Sequence, residues 1–376
     1  MNILNKKNTE NSNEFILTRY LYIYDEVKLA LLFALLEKQK MANFWAYEIY
    51  FSGFKKEFIE WLWTIYYDFF ATLNPSFENF FLTKEKEKDF SDVTIKTIVD
   101  NLLIRPFSTD VFMLSKLFEE KELYYKSKYL LHLDLTTKIG IQEQIKEWSK
   151  TKDFDSIAQF ILGNEYHPFT EMEIYEQFLQ HFSYKKEIYL KQFNKMINHH
   201  DETAIKKILL SRIIALFTLK CGKNVYVSVK KEEVEEFQTI DPFLTNTKLY
   251  RFLNNVCKYS INEHGHLGLF TLSRDSLVIN EIKSIKNIYN DEWLYYASFT
   301  PLWLERIEKY SGVQDHNNKT IIFPSDDEYE DFHNRYNYEP DEQSMDLKER
   351  VVPEIKKEDK YIHFCKKYSQ NNITNK

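Results

Sequence analysis

From residue 25 to residue 73 the chain is three apolar runs separated by short breaks, a pattern that only packed helices accommodate. The first run, 25–38 (DEVKLALLFALLEK), opens on acids and closes on Lys, as the helix dipole prefers. Its apolar positions nearly encircle the helix, which predicts burial on most sides. A second helix is expected at 42–51, ended by Ser52-Gly53, and a third at 55–73, stopped by Asn74-Pro75. Trp45, Ile49, Phe58, Leu62, Ile65 and Phe69 recur at spacings of three and four, as a packed helical hairpin requires.

The same grammar continues downstream. Helices are expected at 93–103, 110–118 (capped by Ser108 or Thr109), 141–149, 154–162, 172–182, 186–197 and 203–220. Only 7 Gly and 8 Pro occur in 376 residues, which disfavours all-β folds and glycine-rich nucleotide loops. No fixed period of solenoid length emerges, so an irregular helical bundle or solenoid-like array describes the pattern. The texture changes after Gly222. Residues 224–229 (NVYVSV) and 266–272 (HLGLFTL) read as short strands, 291–310 as a helix, and 320–323 (TIIF) as an apolar run leading into an acidic stretch. The expected architecture is mainly α, with a smaller C-terminal α+β portion. Its divisions are a disordered N-terminus at 1–13, a helical domain at 14–221, an α+β domain at 222–323, and a tail at 324–376, first acidic and then basic.

Cys221, Cys257 and Cys365 are far apart and form no Cys-x-x-Cys pair, which suits a reducing compartment. Residues 1–13 lack the apolar core of a signal peptide, and the longest apolar stretch, 29–36, is too short to cross a bilayer. These features predict a soluble protein made in the cytosol and not secreted.

Charge is distributed unevenly. The formal net charge of −7 conceals an acidic stretch at 326–347, where nine acids face Arg335 alone. Asp326, Asp327, Glu328, Glu330, Asp331, Glu339, Asp341 and Glu342 are its candidate partner-docking residues. Residues 183–231 carry eleven bases against three acids. Lys185, Lys186, Lys191, Lys195, Lys206, Lys207, Arg212, Lys220 and Lys223 are candidates for tracking a phosphate backbone, with Tyr184, Tyr189, Phe193 and Tyr226 interleaved for stacking. Against that, Lys outnumbers Arg there and the bases form no single stripe, which favours the plainer reading, the solvated faces of two helices whose aromatics point into the core. The acidic stretch could mimic nucleic acid, shield the basic region, dock a basic partner, or simply aid solubility.

No catalytic motif is legible. A Walker-type loop, a dinucleotide fingerprint, a nucleophile elbow and the kinase signatures are all missing from the sequence. Cys257, Glu263, His264 and His266 make the best local metal cluster, yet no second pair stands at zinc-finger spacing, and a surface loop explains them as well. In His199-His200-Asp201-Glu202 the simplest role is Asp201 as a helix N-cap. Glu119-Glu120 and Glu235-Glu236 are adjacent acids with no sign of a desolvated cleft. No cofactor and no metal are therefore expected, although an active site assembled from distant residues leaves no trace in a sequence.

Five blocks carry a resemblance. They are FWAYEIYFSGF (44–54), IYYDFFATLNPSFENFF (65–81), TPLWLERI (300–307), KTIIF (319–323) and YNYEPDEQ (336–343). Together they resemble a protein family of nucleocytoplasmic large DNA viruses of the mimivirus-like group, for which no activity is assigned. The resemblance implies the cytoplasm of an infected host cell, or the virion, as the setting. The run Trp-Ala-x-Glu-x-x-x-Ser-Gly (45–53) is also similar to the helical collar of clamp-loader-type ATPases, though its spacing serves any helical hairpin and the chain has no ATPase domain. The leading expectation is a non-enzymatic scaffold or adaptor with a protein partner. Nucleic-acid binding through 183–231 is the alternative, and an enzyme with a non-local site comes third.

Overall fold

In a computed structural model the described residues are 16–87, 90–119, 137–163, 168–182, 186–197, 200–218, 226–238 and 291–336. Among the described residues the fold is mainly helical with one small two-stranded sheet at 313–322, the class that the periodicity predicts. Two compact units emerge, and neither is a single stretch of sequence. The described residues of the first are 16–60, 90–103, 227–238 and 291–336, and those of the second are 61–87, 104–119, 137–163, 168–182, 186–197, 200–218 and 226.

The first unit is built around α1 (Tyr24–Leu36) and α2 (Met41–Phe51), which pack against each other as an antiparallel pair. Helix α1 is buried along almost its whole length, as its encircling apolar pattern requires. Lys38 closes the turn after it in a left-handed conformation, with Gln39 N–H returning to the Ala34 carbonyl at 2.8 Å. Helix α3 (Lys55–Ile65) begins in this unit and buries Phe58 there.

Helix α5 (Asp92–Ile104) follows α4 (Glu78–Glu87) in the chain and returns to the first unit. It buries Ile95, Ile98, Val99 and Leu102. Polar links fix it: Asn43 Nδ2 donates to Asp100 at 2.7 Å, and the Tyr47 hydroxyl donates to the Asp92 carbonyl at 2.8 Å. The strand expected at 224–229 is not formed by its described residues, 226–229. The buried Asn101 carboxamide instead donates to the Val227 carbonyl at 2.7 Å and accepts from its N–H at 3.1 Å. A side chain thus satisfies the backbone groups that a neighbouring strand would otherwise take.

In the second unit the helix expected to reach residue 73 ends earlier. A π-turn at Tyr66–Phe70 continues α3, with Ala71 N–H bonded to the Tyr66 carbonyl at 2.7 Å. Asn74 holds the exit, its amide donating to the carbonyls of Phe70 and Pro106 at 2.9 and 2.7 Å. The remaining helices here are α6 (Asp110–Glu119), α7 (Lys138–Thr151), α8 (Phe154–Leu162), α9 (Glu171–His181), α10 (Lys186–Ile197) and α11 (Glu202–Leu216). Helix α11 is central, packed against α6, α8, α9 and the π-turn. Side-chain caps define their starts: Thr137, Asp153 and Asp201 each accept an amide, and Thr170 with Glu173 completes a capping box. Asp201 is thus the N-cap that its sequence context suggests. Trp45, Ile49, Phe58, Leu62, Ile65 and Phe69 are all buried in their respective units.

Candidate partner-binding surface

Residues 291–336 complete the first unit. The single helix expected over 291–310 is two, α12 (Trp293–Ala297) and α13 (Pro301–Lys309), because Pro301 has no N–H to donate and begins a helix more readily than it continues one. The module is stitched to the N-terminal part of the same unit. The Thr300 hydroxyl donates to the Leu17 carbonyl, Trp303 Nε1 donates to the Thr18 carbonyl at 3.2 Å, and Leu302 N–H reaches the Ser52 carbonyl at 3.1 Å. Strands β1 (Val313–Asp315) and β2 (Thr320–Ile322) follow as an antiparallel hairpin, in which Val313 faces Ile322 and Gln314 faces Ile321.

The acidic stretch, expected as a tail from residue 324, begins as helix α14 (Asp326–Tyr336). Its folded state has a clear cause. Phe332 is fully buried, its ring 5.1 Å from Phe323, 5.0 Å from Tyr336, 5.7 Å from Tyr310 and 6.4 Å from Trp303. The Arg306 guanidinium stands 4.6 Å from the rings of both Trp303 and Tyr336, and packs flat aromatic surface around the anchor. With Phe332, His333 and Tyr336 turned inward, Asp326, Asp327, Glu330 and Asp331 stand exposed. Ser325 donates its hydroxyl to Glu328 at the start of the helix, where acids also complement the dipole. Tyr329 is half exposed beside these acids, its ring 4.3 Å from His333. The result is a set of exposed carboxylates on a helix anchored by a buried aromatic residue. It attracts cations through a field that salt screens. Glu339, Asp341 and Glu342 lie outside the described residues.

No protein-family model, curated protein or solved structure matches this chain.

The six described basic candidates belong to the second unit, and four of them are paired with acids there. Lys186 pairs with Glu176, Lys206 with Glu202 at 2.9 Å, and Lys207 with the buried Asp68 at 3.5 Å. Arg212 is buried and bonds Glu78, which also accepts the Tyr67 hydroxyl at 2.7 Å. The rings of Phe193 and Tyr175 stand 5.5 and 6.0 Å from the guanidinium. Arg212 is therefore a core cation, and Phe193 is a buried ring with no free face for a base. Lys191 and Lys195 are exposed and form no ion pair among the described residues. Lys185, Lys220 and Lys223 lie outside the described residues.

Two buried ionic clusters went unread in the sequence. In the second unit, burial and then Glu78 push the Tyr66 and Tyr67 hydroxyls well above their ordinary range. Burial likewise raises Asp68, outweighing the opposing pull of Lys207. In the first unit, Glu48 Oε2 accepts Arg19 Nε at 2.9 Å, and Oε1 accepts the Thr18 hydroxyl at 2.5 Å and Tyr20 N–H at 3.0 Å. Arg19 also donates to the Phe237 carbonyl at 2.9 Å. The only sequence signal for this cluster was the Trp-Ala-x-Glu-x-x-x-Ser-Gly run, whose Glu48 and Ser52 belong to it. In both clusters the carboxylates are paired with groups of the same unit. Among the described residues no group of three or more His, Cys, Asp or Glu side chains could hold a metal, and no helix is long and apolar enough to cross a membrane. Cys257, Glu263, His264 and His266 lie outside the described residues.

Proposed function

We propose that this chain is a non-enzymatic adaptor or scaffold in a macromolecular assembly, and that it holds a basic partner on the acidic face of α14. One observation carries the reading. Phe332 anchors the helix from beneath while Asp326, Asp327, Glu330 and Asp331 face solvent. Residues 291–336 contain ten Asp and Glu against four Lys and Arg, so an incoming cationic surface meets a consistent field. The resemblance to proteins of mimivirus-like viruses supports placing the assembly in an infected host cell or a virion.

Nucleic-acid binding is the weaker reading, because Lys207 and Arg212 are paired with buried acids and Lys186 and Lys206 with nearby surface acids. The two are separated by titrating the full chain against a labelled lysine-rich peptide, a glutamate-rich peptide, and single- and double-stranded DNA and RNA. The adaptor reading expects binding of the lysine-rich peptide that weakens with salt, and none of the glutamate-rich one. Binding of nucleic acid alone would overturn it.

A further inference from the structure

The hairpin beside α14 leaves one face uncovered. Its inner face is occupied: Ile321 is buried, Gln314 Nε2 donates to the Ser298 hydroxyl at 2.6 Å, and Gly312 lies so close to Ile307, Ile321 and Phe323 that a Cβ would not fit. The outer face carries Val313 and Ile322, which are directly opposed in register and 65% and 55% exposed, against 7% for Ile321. Opposed residues on one face of an antiparallel pair stand side by side, so the two make a single apolar spot. Polar contacts link the turn between the two strands. Asp315 accepts from Asn317 N–H at 3.0 Å and from Asn318 Nδ2 at 2.7 Å across the turn, and Lys319 pairs with Glu292 at 3.8 Å.

The chain itself limits how far this spot lies from the carboxylates. Only three residues separate Ile322 from Asp326, and the four steps between them span at most about 14 Å in an extended chain. A partner segment of about five extended residues therefore reaches from one to the other. The local acid excess selects the sign of what comes with the apolar contact.

Resting on the adaptor reading, we infer that the outer face of β1–β2 is the apolar half of the same docking site. Its occupant is an extended basic segment of a partner protein that carries an aliphatic or aromatic residue about four positions from a Lys/Arg cluster. The Val313–Ile322 pair takes the apolar residue, and Asp326, Asp327, Glu330 and Asp331 take the cations. Neither half suffices for selectivity: the carboxylates alone accept any cation, and the apolar pair alone is small.

The test uses two labelled peptides of equal charge, one of Lys and Ser, the other with a single Leu four positions from the Lys cluster. Each is titrated against the full chain and against the V313T/I322T double variant, which keeps β-branched residues in both strands. We expect the Leu peptide to bind the wild-type chain about tenfold more tightly, a preference lost in the variant while the Lys/Ser peptide binds both chains equally. Equal binding of the two peptides by the wild-type chain overturns the hairpin's role and leaves the adaptor reading standing. Binding of neither peptide removes the adaptor reading itself. Light scattering on both chains checks the remaining occupant: self-association abolished by V313T/I322T would make the face a contact between copies and overturn the proposal. Since both side chains are exposed, circular dichroism of the variant should match the wild type and confirm that it folds.

Discussion

Gly53 and Pro301 touch where α2 ends and α13 begins: a Cβ placed on Gly53 would lie 2.6 Å from the Cβ of Pro301. Gly53 also sits at φ +100°, where any other residue is strained. The Gly53→Ala substitution should therefore cost about 2–4 kcal/mol, combining a disfavoured backbone with an overpacked contact. Urea titration measures it, and a loss below about 0.5 kcal/mol would mean that the contact yields freely.

Arg19 and Glu48 form an ion pair that water does not reach. Glu48→Gln keeps the shape and leaves a guanidinium buried without its counter-charge, a change expected to cost about 3–5 kcal/mol. A double variant in which both residues become Met should recover part of that loss, because a buried pair offsets its own desolvation poorly. Denaturant melts of the two single variants and the double variant measure the coupling.

Asp68 should leave a signature in pH. Its folded-state pKa is raised by burial, so the native state binds the proton more tightly than the unfolded chain does. The stability this contributes is present at acid pH and is lost as pH rises from the ordinary carboxylate range through the raised value. Asp68→Asn has nothing to lose in that window. Its melting temperature relative to wild type should climb as pH rises above the ordinary carboxylate range, whereas a constant difference would contradict the raised pKa.

Lys152 ends α7 in a left-handed conformation at φ 54°, with an exposed side chain. Lys152→Gly relieves that backbone at the expense of a more flexible unfolded chain. The net expectation is a gain of about 0.5–1 kcal/mol, read from thermal melts.

The helices were legible because their signals are local. The acids and Lys that bracket 25–38, the spacing of Trp45 and Ile49, and the cap at Asp201 all lie within a few residues of what they specify. What escaped depends on distant partners. Arg212 reads as one more base in a basic stretch until Glu78 is seen beside it, although its apolar flanks, Leu209-Leu210 and Ile213-Ile214, were a sign of burial. Val227 alternates like a strand residue, yet the side chain of Asn101 answers its backbone. For the candidate surface, charge counting picked out the acids at 326–331 but could not show that Phe332 anchors them on a helix. Strand β1 went unpredicted because Val-Gln-Asp is too short and too polar for period-two alternation to register. Only its pairing with Thr320–Ile322 defines it.

The account turns on whether the carboxylates of α14 hold a cationic partner, and that is measured by fluorescence anisotropy of a labelled lysine-rich peptide across a salt series. The wild-type chain is compared with the variant D326N/D327N/E330Q/D331N, which removes four charges and leaves Phe332 in place. We predict that the wild-type affinity falls steadily with salt, and that the variant binds about tenfold or more weakly at low salt with a flatter salt dependence. Equal affinity of the two chains, or no binding by the wild type at low salt, would contradict the proposal.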